Sequence, residues 1–115
     1  MELNDATTAL AALGHPKRLS VFRLLVEAGP EGRTPGELAQ TLSLPGATLS
    51  FHLKELTAAG LIEGEAHGRN ISYRADFAAM NGLIEFLTHN CCGGDDSRCP
   101  PTSRGSAKRA RSGGA

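Results

Sequence analysis

The 115-residue sequence has no excess charge of either sign, no cysteine before residue 91 and no long apolar run. The last absence excludes a membrane-spanning helix, which needs about 18 or more consecutive apolar residues. The first residues, MELND, are polar and do not resemble a secretory signal, so we expect a cytoplasmic protein with no membrane partner. Twelve basic and twelve acidic residues give a formal net charge of zero, which argues against a general polyanion binder.

Charge and composition change near residue 90. Residues 1–90 contain seven Lys and Arg against ten Asp and Glu, a net charge of −3, whereas residues 91–115 contain five against two, a net charge of +3. Any nucleic-acid site in the first part must therefore be a local basic patch or a structural element whose shape fits the nucleic acid. We predict a folded domain over 1–90, a cysteine-containing segment over 91–103, and a basic tail over 104–115 that is disordered.

Apolar residues recur at helical spacing in four segments before residue 60. The pattern predicts a first helix over about residues 4–12 and a second that begins at Pro16. Thr34 and Glu37 form a capping box at the start of a short third helix. Only two residues separate it from a fourth helix over about 45–60, and so tight a turn is typical of a helix-turn-helix motif. The first helix places four apolar residues on one predicted face: Leu3, Ala6, Leu10 and Leu13.

The apolar period changes after the fourth helix. Residues 61–66 and 71–74 have the pattern of two short strands around a turn at 67–70. A last helix is predicted over about 76–90. Four helices, a hairpin and a final helix make a winged helix-turn-helix, a mainly α fold with a small β-hairpin wing.

The fourth helix presents a surface suited to DNA. On a helical wheel, Leu49, Leu53 and Leu56 form the core stripe, and Phe51 lies roughly opposite. An outward aromatic side chain could touch thymine methyl groups in a major groove, although single exposed apolar residues are also common on protein surfaces. The hairpin tip could reach a minor groove or a phosphate, or be an ordinary solvated turn. The candidate DNA contacts are Ala47, Thr48, Ser50, Phe51, His52, Lys54, Arg69 and Asn70.

Three segments and the wing resemble the ArsR/SmtB family of metal-responsive repressors over about residues 5–90. The resemblance rests on LGHPKRL at 13–19, ATLSFHLKEL at 47–56, AGLI at 59–62, and Gly68, Arg69 and Tyr73 in the wing. It implies a homodimer, formed through the first and last helices, that binds double-stranded operator DNA. It also implies a repressor that leaves the operator when a metal or metalloid binds, and not an enzyme.

The three cysteines, Cys91, Cys92 and Cys99, fall within nine residues. Such clustering in a cytosolic protein is typical of metal or redox chemistry, and an odd number is unusual for a disulfide framework. Soft thiolates select thiophilic ions, and three sulfurs suit trivalent arsenic or antimony better than tetrahedral zinc. Gly93 and Gly94 would let the chain reverse and bring Cys99 back to the end of the last helix. A redox switch and an inert thiol cluster are the alternatives.

Ligand position distinguishes the subgroups of the family that the chain resembles. One arsenic-sensing subgroup carries cysteines at the start of the helix-turn-helix, but residues 35–41 contain none. The zinc sensors use an Asp-x-His pair and two further ligands on the last helix. This chain offers Asp76, Ala78, His89 and Cys92 at those spacings, so a required histidine is missing. A third subgroup carries paired cysteines at the end of the last helix and another several residues on. That resemblance implies As(III) or Sb(III) as the inducer, bound by Cys91, Cys92 and Cys99, with no organic cofactor. Cd(II), Zn(II) or thiol oxidation are the other possible triggers.

Two functions from other classes are also compatible with parts of the sequence. Cys92 and Arg98 have the Cys-x5-Arg spacing of phosphatases and small arsenate reductases. Those loops follow a strand and hold an oxyanion at a helix N-terminus, whereas this segment follows a predicted helix and contains Asp95 and Asp96. We therefore expect no enzyme activity. A winged helix that binds only protein is the second alternative.

Overall fold

The computed structural model describes residues 1–100. It shows the helices α1 (Leu3–Leu13), α2 (Pro16–Ala28), α3 (Pro35–Leu42) and α4 (Gly46–Ala58), the strands β1 (Ile62–His67) and β2 (Asn70–Ala75), and the helix α5 (Phe77–Thr88). This order confirms the predicted winged helix-turn-helix. No helix of residues 1–100 is long and apolar enough to cross a membrane. Residues 101–103 and the predicted basic tail, 104–115, lie outside the described residues, and the division of the chain near residue 90 stays a prediction.

Local capping explains where the helices begin. Pro16 occupies the first turn of α2, and the ring Nδ1 of His15 accepts a hydrogen bond from the Lys17 backbone N–H at 3.2 Å. Thr34 Oγ1 accepts from the Glu37 N–H at 3.2 Å, while a Glu37 carboxylate oxygen accepts from the Thr34 N–H at 2.9 Å. The predicted capping box is confirmed, and it satisfies two backbone donors that the first turn of α3 leaves open.

The core lies between α2, α3 and α4 and extends to the start of the wing. Each fully buried large side chain there contributes about 1.5–3 kcal/mol relative to exposure, so the leucines on one side of α4 hold this helix against the rest of the domain. The largest fully buried side chains are Val21, Leu25, Leu38, Leu49, Leu56 and Leu61.

The predicted face of α1 is confirmed for Ala6 and Leu13, which lie against the core, and is wrong for Leu3 and Leu10. Ala6, Ala9 and Ala12 are buried, whereas Leu3 and Leu10 are 67% and 46% exposed. Alanines line the inner side because their small side chains allow α1 to pack closely against its neighbours. The two leucines, seven residues apart, therefore share an outward side of the helix that adjoins the alanine face.

The hairpin forms close to its predicted place. The two strands pair antiparallel from Ile62 with Ala75 to His67 with Asn70, which leaves Gly68 and Arg69 as a two-residue turn. Gly68 has a φ of 65°, and a positive φ at this position is typical of tight hairpin turns. The strands are thus each one residue longer at the turn than the sequence predicted.

The loop before α3 ties the wing to the helical body. Arg33 N–H donates to the Tyr73 carbonyl at 2.9 Å, and Tyr73 N–H donates to the Arg33 carbonyl at 2.8 Å. Gly32 precedes this pair with a φ of 73°, and a Cβ at Gly32 would clash with the Tyr73 carbonyl oxygen. Only glycine fits this close approach, so Gly32 helps to fix the wing relative to the helices.

We expect Gly32→Ala to lower the free energy of unfolding by at least about 2 kcal/mol, because alanine meets both an unfavourable φ and the Tyr73 backbone. Gly36→Ala is the matched control, since a Cβ there meets only Thr34 Oγ1 at 4.0 Å. The control should be neutral or stabilise α3 by up to about 1 kcal/mol. Urea unfolding followed by circular dichroism measures both, and equal midpoints for the two variants would contradict the assigned role of Gly32.

Candidate nucleic-acid interface and thiol cluster

The outward side of α4 carries the residues that the helical wheel placed there. Leu49, Leu53 and Leu56 are buried, which confirms the predicted core stripe. Phe51 is 54% exposed even though it is a large aromatic residue. Ala47, Ser50 and Lys54 are exposed beside it, and Thr48 is half-buried. Their contact with DNA stays a prediction, but none of the five side chains is buried, so all are accessible to the major groove of a DNA duplex.

His52 does not belong to this outward surface, and the expectation that it is free to meet DNA is wrong. Its side chain is 3% exposed. Nδ1 accepts a hydrogen bond from Arg18 Nε at 3.4 Å, and Nε2 is buried with no hydrogen-bond partner among residues 1–100. The sequence did contain a signal for this position. His52 and Leu56 are four residues apart, so they share a helix face, and His52 lies at the edge of the leucine stripe.

Arg18 on α2 contacts both neighbouring helices. Besides the bond to His52, its Nη1 donates to the Ala12 carbonyl of α1 at 3.3 Å. Its guanidinium carbon lies 5.6 Å from the centre of the Phe51 ring, within the range of a cation–π contact. This role is not visible in the sequence, because 34 positions separate Arg18 from His52 and helical periodicity relates only near neighbours.

The wing places one free cation at its tip. Arg69 and Asn70 are exposed at the turn. Arg74 lies 3.5 Å from a Glu63 carboxylate oxygen and 3.3 Å from one of Glu65, so its charge is already paired. Within residues 1–100, Arg69 and Lys54 take part in no ion pair, which leaves both cations available to phosphates. A groove between α4 and β2 is lined by Ser50, Lys54, Thr57, Ile71 and Tyr73, among others.

The three cysteine sulfurs converge beyond the end of α5. The Cys91 sulfur lies 3.9 Å from that of Cys92 and 3.7 Å from that of Cys99, and all three lie within 4.8 Å of one another. The thiols are free, with Cys91 exposed and the other two half-buried. Cys91 is therefore the central thiol of the cluster, open to a small solute.

A local reversal of the backbone produces this convergence. The last helix was predicted to reach residue 90, but α5 ends at Thr88, and the 3-10 turn Cys91–Gly94 follows it. Gly93 and Gly94 have φ values of 68° and 87°, so the predicted glycine reversal is present. Cys92 also has a φ of 56°, which costs an L-residue about 1 kcal/mol or more. The backbone thus holds a cysteine in an unfavourable conformation at the point where the sulfurs meet.

The separations of the Cys91 sulfur from the other two are close to those of thiolates that share an ion. Two thiolates that bind one ion at about 2.3 Å with a tetrahedral angle lie about 3.8 Å apart. In the part of the chain that the structure describes, no His, Asp or Glu joins the three sulfurs in a common ligand group. Asp76, a position of the zinc-sensor pattern, instead caps α5 by accepting the Ala79 N–H at 3.0 Å. Among the described residues the donor set is therefore sulfur alone, which favours a thiophilic ion.

The Cys-x5-Arg segment does not form an anion-binding loop. It follows α5 and not a strand, and its short second 3-10 turn, Asp96–Arg98, has exposed Asp95 and Asp96 at its start. Asp95 caps that turn by accepting the Ser97 N–H at 3.0 Å. Carboxylates at this position repel an oxyanion, so the geometry required for a phosphatase is missing.

Comparison with known proteins indicates one class of function. Residues 13–65 match a family described as a helix-turn-helix domain. The chain is 32% identical to the HTH-type transcriptional regulator YgaV of Escherichia coli K12 over 88 residues, 76% of this chain and 87% of that protein. It is 35% identical to the HTH-type transcriptional repressor SmtB of Mycobacterium tuberculosis over 88 residues, 76% of this chain and 63% of that protein. An ArsR-like transcriptional regulator from Rhodococcus sp. RHA1 superposes with a TM-score of 0.70 at 28% identity, covering 82% of this chain and 86% of that one.

The buried histidine predicts a pH dependence of stability. Burial lowers the pKa of His52, and the charges of His15, Arg18 and Lys17 lower it further. The unfolded chain binds the proton more readily than the native chain, with a pKa of about 6.5. The contribution of neutral His52 to the free energy of unfolding is therefore fully present above about pH 6.5. It is lost as the pH falls through the lower native pKa.

We expect the free energy of unfolding to fall less between about pH 7.5 and about pH 5.5 in His52→Asn than in the wild type, because asparagine does not titrate. His89→Asn, at an exposed histidine that has no ion pair within residues 1–100, is the matched control and should keep the wild-type pH dependence. Urea unfolding at a series of pH values measures all three proteins. The assignment to His52 fails if the two variants show the same pH dependence.

Proposed function

We propose a function for this chain on the premise that it belongs to the ArsR/SmtB family of winged helix-turn-helix transcriptional regulators. Its relatives are named as regulators and repressors and not as enzymes, in agreement with the sequence prediction. In our proposal the protein represses transcription as a homodimer on double-stranded operator DNA and releases the DNA when As(III) binds. The observation that carries the choice of inducer is the convergence of the Cys91, Cys92 and Cys99 sulfurs within 4.8 Å.

Helix α4 enters the major groove in this proposal. Phe51 is exposed and apolar, which suits contact with thymine methyl groups. Thr48 and Ser50 offer hydroxyl groups to base edges or phosphates, and Lys54 offers an unpaired charge. Arg69 at the wing tip approaches the adjacent minor groove or its phosphates. His52 has no place among these contacts because it is buried.

The dimer forms through α1 and α5. Leu3 and Leu10 on α1 are exposed, as are Ile84 and Leu87 on α5, which are 53% and 59% exposed. The two helices contact one another, and Met1 lies against Gly82 of α5. Their outward leucines and isoleucine therefore form an apolar surface that a second copy would cover by two-fold symmetry. A dimer sets the separation of the two α4 helices, which must match half-sites about 34 Å apart.

As(III) binding at the cluster is an exchange of oxygen for sulfur with no change in oxidation state. Arsenous acid, As(OH)₃, has three As–O bonds. For each As–S bond that forms, one As–O bond breaks, and the thiol proton leaves with the hydroxide as water. Three thiols therefore take up one As(III) and release three waters. Sb(III) has the same thiophilic trivalent chemistry and would bind the same three sulfurs.

Binding at the cluster can reach the DNA through α5. Bonding of the three sulfurs to one atom joins residues 91–99 to the end of α5, and α5 packs on α1 at the proposed dimer surface. A small change in the packing of these helices changes the separation of the two recognition helices, so the second half-site no longer fits. Coupling free energies of this kind are typically about 1–3 kcal/mol, or about 5–150-fold in affinity.

Thiol oxidation is a second candidate trigger, favoured by the 3.7 Å between the Cys91 and Cys99 sulfurs. A peroxide would oxidise these two thiols to one disulfide and be reduced to water, with both thiol protons leaving in the water. The sulfurs would then approach to about 2.05 Å. Oxidation would occupy two thiols and leave Cys92 free, whereas As(III) occupies three. A free-thiol count after treatment therefore distinguishes the two triggers.

We expect fully reduced protein to bind one As(III) per chain, seen as thiolate–arsenic absorption in the near ultraviolet. Cys99→Ser should lose tight binding because only two thiols remain. His89→Ala is the matched control, since His89 belongs to the zinc-sensor pattern but not to the thiol cluster, and it should bind As(III) as the wild type does. An absorption titration with arsenite, with Zn(II) in parallel, measures each. Wild-type uptake by Cys99→Ser would contradict the three-thiol site.

We expect Ile84→Lys to convert the dimer into a monomer, because the charge would be buried against a second copy. Ile71→Lys on β2 is the matched control: Ile71 is also exposed but lines the groove between α4 and β2, and the dimer should persist. Sedimentation at micromolar concentration measures the mass of each species. A dimer that survives Ile84→Lys unchanged would place the interface elsewhere.

A further inference from the structure

We propose that Arg18 is a positioning residue for DNA binding: it holds α4, and Phe51 on its outward side, in the orientation that reads the operator. The inference rests on the proposed function, because it requires that α4 binds DNA. It assigns a role to a residue of α2 that makes no contact with DNA itself.

Two hydrogen bonds join Arg18 to the helices on either side. Nε donates to His52 Nδ1 on the buried side of α4 at 3.4 Å, and Nη1 donates to the Ala12 carbonyl at 3.3 Å. Ala12 lies in the last turn of α1, where backbone carbonyls have no partner within the helix. Arg18 thus satisfies an open carbonyl of α1 and an acceptor of α4 at the same time, so it fixes these two helices relative to each other.

The same guanidinium supports the exposed aromatic ring. The Arg18 guanidinium carbon lies 5.6 Å from the centre of the Phe51 ring, and the His52 ring centre lies 5.9 Å from it. Phe51 is more than half exposed, so few other contacts hold its ring in one orientation. A cation–π contact is worth about 0.5–1 kcal/mol at such a site, enough to favour one ring position before DNA arrives.

These contacts require an arginine and not only a positive charge. The planar guanidinium donates from Nε and Nη1 in different directions while its face lies over an aromatic ring, which a lysine ammonium cannot do. The same guanidinium is half-buried, and the two hydrogen bonds already use two of its donors. We therefore assign it a role through its neighbours, and the salt dependence measured below distinguishes this role from a direct phosphate contact.

Arg23 on the same helix provides the contrast. It is exposed and pairs with Glu27 four residues on, at 3.1 Å, within α2 itself. A surface pair of this kind contributes little to stability. Arg23 therefore matches Arg18 in residue type and helix but makes no bond to α4.

The test measures binding to a DNA duplex that the wild-type protein selects from a random-sequence pool. Arg18→Lys, Arg18→Met and the control Arg23→Met are compared with the wild type at several salt concentrations. Circular dichroism first identifies a temperature at which all four proteins are folded. If Arg18→Met is not folded at that temperature, Arg18→Lys is compared with the wild type instead, because lysine keeps the aliphatic part of the side chain and the positive charge.

We expect Arg18→Met to bind the selected duplex about tenfold more weakly or worse, Arg18→Lys to be clearly weaker than the wild type, and Arg23→Met to be unchanged. The slope of log affinity against log salt should stay the same in all four proteins, because no phosphate contact is lost. In a Phe51→Ala background, Arg18→Met should cost much less than in the wild type, since part of its effect acts through Phe51.

Two results would overturn the inference. One is unchanged affinity in both Arg18 variants. The other is a salt slope reduced by about 0.9 in Arg18→Met together with wild-type binding by Arg18→Lys, which identifies a direct phosphate contact. If the wild type selects no duplex at all, the proposed DNA-binding function fails, and this inference fails with it.

Discussion

The packing of Leu49, Leu53 and Leu56 beneath α4 determines what the rest of the molecule presents to a partner. These leucines pack against α2, α3 and the start of the wing, so α4 can rotate about its axis only if the core is disrupted. Phe51, Ser50 and Lys54 are thereby fixed on the outward side. A small domain has few such contacts to spare, because it buries only about 60–70% of the surface of its unfolded chain. The spacing of these leucines therefore determines both the buried core and the side of α4 that faces outward.

The thiol cluster depends on a different constraint. It lies beyond the last helix and is built by local backbone geometry, with left-handed residues at Asn90, Cys92, Gly93 and Gly94. The hydrogen bond from Gly93 N–H to the Asn90 carbonyl, at 2.8 Å, holds the reversal. The residues of a site made in this way can change without changing the packing of the core. In the proposed mechanism, an effect of the cluster on DNA passes through α5 and α1, and Arg18 is one residue that joins the end of α1 to α4.

Much of the architecture follows from local sequence signals. The capping box at Thr34 and the hairpin turn at Gly68 depend on residues close together in the chain, and both formed as predicted. The return of Cys99 was predictable because paired glycines permit the left-handed backbone that it needs. The inner face of α1 was only partly predictable, since a helix that is apolar on two sides gives no unique periodicity. Leu3 and Leu10 proved to be on the outside, while Ala6 and Leu13 lie against the core. His52 and Arg18 depend on a contact across 34 positions, which no local pattern contains.

Release of DNA by arsenite can be measured directly by fluorescence anisotropy of a labelled duplex that the reduced wild-type protein has selected. We expect one equivalent of arsenite per chain to weaken wild-type binding by about 5–150-fold. Cys99→Ser should bind the duplex as tightly as the wild type and remain bound when arsenite is added. Arsenite does not act through the three thiols if the wild type takes up As(III) and stays on the DNA, or if Cys99→Ser is released as readily as the wild type.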